Sequence, residues 1–85
     1  MGELSKLPNI GVEVEKQLNQ VGIYTKDELE EIGSQEAWLR IQKIDSSACI
    51  HRLMALEGAL QGVKKSELSV EDKAYLKEFY QKHKI

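Results

Sequence analysis

Residues 47–62 read Ser47-Ala48-Cys49-Ile50-His51-Arg52-Leu53-Met54-Ala55-Leu56-Glu57-Gly58-Ala59-Leu60-Gln61-Gly62, the longest apolar stretch in the chain. The spacing predicts a helix from about Ser47 to Gln61 that Gly62 closes. At about 100° per residue, Cys49, Leu53, Leu56 and Leu60 form one stripe, while Ile50 and Met54 fall outside it beside Glu57 and Gln61. A helix that is apolar on more than one side is a central, buried element, and the rest of the chain is expected to pack around it.

Working outward, the other segments with helical spacing are short and separated by Gly11, Gly22 and Gly33. A first helix is expected from about Gly11 to Gln20, with Val14, Leu18 and then Val21 on one side. Thr25 and Glu28 form a T-x-x-E capping box that opens a second, buried through Leu29 and Ile32. Ser34 is the expected cap of a third, in which Ala37, Trp38, Ile41 and Ile44 recur at helical intervals and Leu39 points away. Asp45, Ser46 and Ser47 offer three caps in a row for the fourth. Ser69 caps a fifth, from Val70 to about Lys82, with Tyr75, Leu76, Phe79 and Tyr80 as a broad aromatic face. No stretch alternates apolar and polar residues for long, so no sheet is expected. The fold class is all-α: one compact domain over residues 1–85, of about five short helices around the fourth, with residues 1–6 and 83–85 fraying.

Composition narrows the function. With 85 residues there is room for one core, and 41% hydrophobic with 31% charged residues is a globular balance. A formal charge of −2 argues against holding nucleic acid by bulk electrostatics. The single cysteine excludes an internal disulfide, and no apolar run approaches the roughly 20 residues that span a bilayer. The first residues show no apolar signal-peptide stretch, so a reduced, soluble, cytoplasmic protein is expected. Cys49, His51 and His83 match no zinc spacing, and residues two apart on a helix do not face each other, so Cys49 and His51 make no nucleophile and base pair. No phosphate-binding glycine motif occurs. No catalytic cluster and no cofactor site can be named, and the chain is read as a non-enzyme.

Two stretches carry a resemblance. Leu7-Pro8-Asn9-Ile10-Gly11 before a helix, followed by residues 22–29 (Gly-Ile-Tyr-Thr-Lys-Asp-Glu-Leu), is similar to the helix-hairpin-helix family. With residues 33–40 (Gly-Ser-Gln-Glu-Ala-Trp-Leu-Arg) and 55–62 (Ala-Leu-Glu-Gly-Ala-Leu-Gln-Gly) added in order, the chain resembles the C-terminal domain of TfoX, also called Sxy. That family includes regulators of competence for DNA uptake. The resemblance covers about Leu7 to Tyr80 and implies an all-helical, helix-hairpin-helix-like domain of cytoplasmic bacterial proteins, present here as a stand-alone copy. It departs from the family after residues 55–62, where Lys64 and Lys65 stand near the turn in place of an aromatic.

Two functional classes follow. The leading one is a non-catalytic interaction module working through protein contacts, with a protein partner or a second copy of itself. Ile50, Met54 and Gly58 share one side of the fourth helix and form the candidate partner or dimer surface, since a mid-helix glycine often marks the close approach of another helix. Arg52 falls among Ala48, Ala55, Ala59 and Val63; it either lays its stem over these small residues and reaches a carboxylate, or anchors that same surface. The alternative is a nucleic-acid-backbone binder. Its candidate contacts are Asn9 and Gly11 in the hairpin, where backbone N–H groups would meet a phosphate, and Lys64, Lys65, Lys73 and Lys77 in the basic second half. Residues 1–45 carry five basic and nine acidic side chains and residues 46–85 seven and five, so charge separates along the chain. Glu13 and Glu15, in the first turns of the helix after the hairpin, already complement its dipole and would repel a phosphate.

Overall fold

The computed structural model describes residues 3–84. Five α-helices, α1 (Val12–Gln20), α2 (Lys26–Ile32), α3 (Ser34–Ile44), α4 (Ile50–Gln61) and α5 (Val70–His83), are joined by loops and by 3-10 turns at Leu4–Lys6 and Lys65–Glu67. No strand occurs among the described residues. The all-α expectation holds, and α4 is the hub, touching α2, α3, α5 and the 65–67 turn.

Local chemistry accounts for the boundaries. Thr25 accepts from the Glu28 N–H while Glu28 Oε1 accepts from the Tyr24 and Thr25 N–H groups, which closes the capping box. Ser69 accepts from the Asp72 N–H and starts α5. At the end of α4, Val63 N–H bonds Gly58 C=O and Gly62 N–H bonds Ala59 C=O, with Gly62 at φ +76. This is a Schellman turn, and its left-handed residue is why a glycine stands at 62.

Trp38, Leu18, Ile23, Leu29, Ile41, Leu53 and Leu56 are fully buried, and the shielding of each such aliphatic side chain from water contributes about 1.5–3 kcal/mol. Trp38 sits among them with its Nε1–H donating to Cys49 C=O at 3.1 Å. The rings of Phe79 and Tyr80 meet it edge-on at 6.2 and 5.7 Å, so α5 closes over α3 through aromatic contacts.

Several expectations are corrected. Leu4–Lys6, within the segment expected to fray, form a 3-10 turn in which Leu4 is fully buried and the following Leu7 N–H bonds Leu4 C=O. His83 belongs to α5, and the Gln42 amide donates to its carbonyl. Met1, Gly2 and Ile85, also expected to fray, lie outside the described residues. Helix α4 begins at Ile50 and not at Ser47, because Asp45 folds residues 45–48 into a turn of their own; Ser47 N–H and Oγ–H both donate to its carboxylate and Ala48 N–H to its carbonyl. Cys49 is therefore the half-buried N-cap of α4 and no part of a buried stripe. Gly33 rather than Ser34 caps α3, leaving the Ser34 hydroxyl to donate to Glu57 at 2.7 Å. Leu39 packs against the core, while Ile44 and Tyr75, expected inside, are half or more exposed.

Candidate interaction surface

The hairpin is built from Leu7-Pro8-Asn9-Ile10. Pro8 at the second position, Asn9 at the third with φ +68, and an Ile10 N–H to Leu7 C=O bond of 3.3 Å make a type II turn. The third position demands a left-handed residue, and Asn is among the few non-glycine residues that adopt it. The buried side chains of Leu4 and Ile10 hold the turn on either side.

The Asn9 side chain does more than tolerate the turn. Its Nδ2 donates to Val63 C=O at 3.0 Å and to Ala55 C=O at 3.4 Å, and its Oδ1 accepts from Lys65 N–H at 3.0 Å. One amide thus fastens the hairpin to the Schellman turn and to the first residue of the 65–67 turn, more than 50 positions away. Lys64 N–H is held by Glu67 Oε1 at 2.9 Å, and Lys73 Nζ donates to Ser66 C=O at 3.0 Å. Between the two turns lies an open groove of about 610 Å³, lined by Pro8, Asn9 and residues 62–67.

The candidate nucleic-acid residues are therefore brought together in part. Asn9, Lys64 and Lys65 line one groove, Lys73 reaches its edge, and Lys77 follows one helical turn along α5. Gly11 is the exposed N-cap of α1, with no side chain capping the helix. The two glutamates after it part company: Glu13 is exposed, whereas Glu15 is buried with Oε2 accepting from Ser5 N–H at 3.2 Å.

The candidate partner residues are not brought together on an open face. Gly58 is buried, and what approaches it is the Asn9 amide and the backbone of residues 63 and 65, not another helix; as part of a partner surface it is corrected. Arg52 takes the first of its two expected roles and reaches a carboxylate: its Nη1 donates to Asp45 Oδ2 at 3.0 Å and to Gln17 Oε1 at 2.9 Å. Gln17 Nε2 donates to the same Asp45 oxygen, so α1, the 45–48 turn and α4 share one polar knot. In it the Asp45 carboxyl is held well below the usual value, first by the Ser47 hydroxyl, then by the Gln17 amide, the Ser47 N–H and Arg52. Ile50 and Met54 are half-buried, and Met54 packs against the core.

A second cleft, about 320 Å³, opens between the α2–α3 junction, Glu57 of α4, and Asp72, Tyr75 and Leu76 of α5. Gln61 Nε2 bridges its carboxylates, donating to Glu57 Oε2 at 2.7 Å and to Asp72 Oδ2 at 3.0 Å. Neither this chain of side chains nor the grip of Asn9 has a local sequence signal, since each joins residues from separate elements. Among the described residues no group of three His, Cys, Asp or Glu could hold a metal ion, and no helix is long and apolar enough to cross a membrane.

Two solved structures similar to this chain are described without a function. A crystal structure, in a triclinic form, of an uncharacterized protein from Listeria monocytogenes superposes with a TM-score of 0.91 at 49% identity, covering 93% of this chain and 90% of that one. A tetragonal form of a Listeria monocytogenes protein of unknown function gives 0.92 at 49% identity, covering 94% and 98%. No curated protein matches. The family model described as the TfoX C-terminal domain matches residues 1–80, which include the hairpin, the Schellman turn and all of α1 to α4. The chain belongs to the TfoX C-terminal domain family.

Proposed function

We propose that this domain is a non-catalytic interaction module that works through protein–protein contacts, and that its contact surface is the face made by the hairpin and residues 62–67. The observation that carries this reading is the triple grip of the Asn9 side chain on Ala55, Val63 and Lys65. A surface assembled from two distant turns and fixed in advance loses little ordering entropy when a partner binds. Family membership supports the reading, since the family is one of regulator domains without enzymatic activity. Self-association through Ile50 and Met54 is the weaker form of it, because both side chains are already half covered within the chain.

One observation favours a nucleic-acid backbone as a second reading. The N-terminus of α1 at Gly11, two residues after Asn9, has no side-chain cap among the described residues, and the first N–H groups of a helix attract anions. The exposed Glu13 and the net charge of −2 oppose it.

Site-specific photo-crosslinking separates the two. A photo-reactive amino acid replaces Lys65 in the full chain, with Glu30, an exposed position of α2 outside the groove, as the control. The reading predicts a protein adduct from position 65 alone, identified by mass spectrometry and reconstituted from purified components. An adduct with nucleic acid would replace it with the second reading, and no adduct above the control would overturn it.

A further inference from the structure

We infer that the groove between the hairpin and residues 62–67 takes an extended, acidic segment of a partner protein, seating an apolar side chain on the Pro8 and Val63 floor and carboxylates against Lys64 and Lys65. This deepens the interaction-module reading and rests on it.

Charge complementarity selects the partner. Lys64 and Lys65 are exposed and form no ion pair among the described residues, although the chain as a whole is acidic. Among the described residues the lining holds one carboxylate, Glu67, which accepts from the Lys64 N–H and keeps its charge, so the two lysines outnumber it. Lys73, drawn to Ser66 C=O, adds a third ammonium group at the edge. The result is a local cationic rim on an acidic domain, which steers acidic segments to this groove and away from the rest of the surface.

The groove's own chemistry favours a peptide over a nucleic acid. Exposed ammonium groups attract a phosphate as they do a carboxylate, but the Lys64 and Lys65 backbone N–H groups that would add to them at a phosphate are already taken by Glu67 and Asn9. Single strands stack their bases on aromatic side chains, and none lines the groove. Pro8 and Val63 instead give an apolar floor for a side chain such as Leu, flanked by long Lys stems that cover apolar surface while their ammonium groups stay in water. The recognition is by side chains, so the partner segment needs no helix and no sheet edge to pair with.

The test uses a short synthetic peptide of alternating Asp and Leu, its Lys and Leu counterpart, and a single-stranded oligonucleotide, each titrated into the isotopically labelled full chain. Amide shifts in a nitrogen–proton spectrum locate binding. The acidic peptide is expected to move the Asn9 side-chain amide and the amides of residues 63–67, with affinity falling about tenfold in the Lys64→Glu, Lys65→Glu double variant and with added salt. Lys26→Glu, an equal change of charge per site on α2, is expected to leave the affinity unchanged, and its spectrum with that of the double variant verifies folding. Peptide shifts confined to the Glu57 and Asp72 cleft, equal binding of the basic peptide, or no binding at all would overturn the inference. So would oligonucleotide binding at these residues without peptide binding. A protein adduct at position 65 combined with a silent acidic peptide would remove this occupant and leave the module reading standing, whereas failure of the crosslink removes both.

Discussion

The side-chain amide of Asn9 occupies the space beside Gly58 so closely that a β-carbon added there would stand 2.6 Å from Nδ2. The same β-carbon would lie 2.8 Å from Val63 C=O, the atom Asn9 itself grips. Gly58 is thus the third party to the hairpin contact: only a residue without a side chain lets the Schellman turn fold back over α4 and leaves room for the amide. The glycine in the middle of α4 and the asparagine in the hairpin belong to one arrangement.

Gly58→Ala should therefore destabilise the domain, against the usual trend for a helix. Alanine gains about 1 kcal/mol of helix propensity over glycine in a helix interior. Forcing a methyl group against a backbone carbonyl and a hydrogen-bonded amide costs about 1–3 kcal/mol and loosens the Asn9 bonds as well. The expected net loss is about 1–2 kcal/mol in urea unfolding. A variant as stable as the parent, or more so, would show that the hairpin yields freely and that the contact is incidental.

Replacing Asn9 separates its backbone role from its side-chain role. Asn9→Gly keeps access to φ +68 and loses only the three hydrogen bonds, for an expected cost of about 1–3 kcal/mol. Asn9→Ala loses the same bonds and adds the strain of a left-handed alanine, about 1 kcal/mol more. Equal stabilities for the two variants would mean that the turn relaxes out of its left-handed conformation when the side chain is gone.

Leu4→Ala measures how firmly the first residues are built in. Its side chain is fully buried, so truncation should cost about 2–5 kcal/mol, a large share of what a domain this small possesses. Thermal unfolding followed by circular dichroism reads the change. A shift within experimental error would mean that residues 4–6 detach without consequence for the core.

What was legible in the sequence is what local chemistry writes. The capping box at Thr25 and Glu28, the Ser69 cap and the stop at Gly62 each concern residues within a few positions of one another, and all three appear as read. So does the central place of α4, because its composition alone requires burial on several sides. The misreadings have a different origin. Cys49 left the buried stripe because Asp45 drew Ser47 and Ala48 into a turn, a competition between two local hydrogen-bond patterns that periodicity does not weigh. Gly58 correctly signalled a close approach, but the approaching group was an amide from residue 9, and nothing in the spacing of either residue names the other. Of the candidate surface, the hairpin and the lysines could be picked out singly, while their junction exists only through a hydrogen bond spanning 56 positions.

Acid should act on the polar knot at Asp45. Its carboxyl is held below the ordinary value of 3.8, so the folded state takes up this proton less readily than the unfolded chain does. The stabilising contribution is complete above 3.8 and is lost progressively as the pH falls from there through the folded value. Asp45→Asn should consequently flatten the acid limb of a plot of melting temperature against pH, whatever it does to stability at neutral pH. The hydroxyl of Ser47 contributes most to the lowering and Arg52 least among the hydrogen-bond donors, which orders two further variants. Carbon-detected titration of the Asp45 carboxyl should find it raised more by Ser47→Ala than by Arg52→Met. The reverse order would identify the ion pair with Arg52 at 3.0 Å, and not the turn that Asp45 builds, as the main support of its charge.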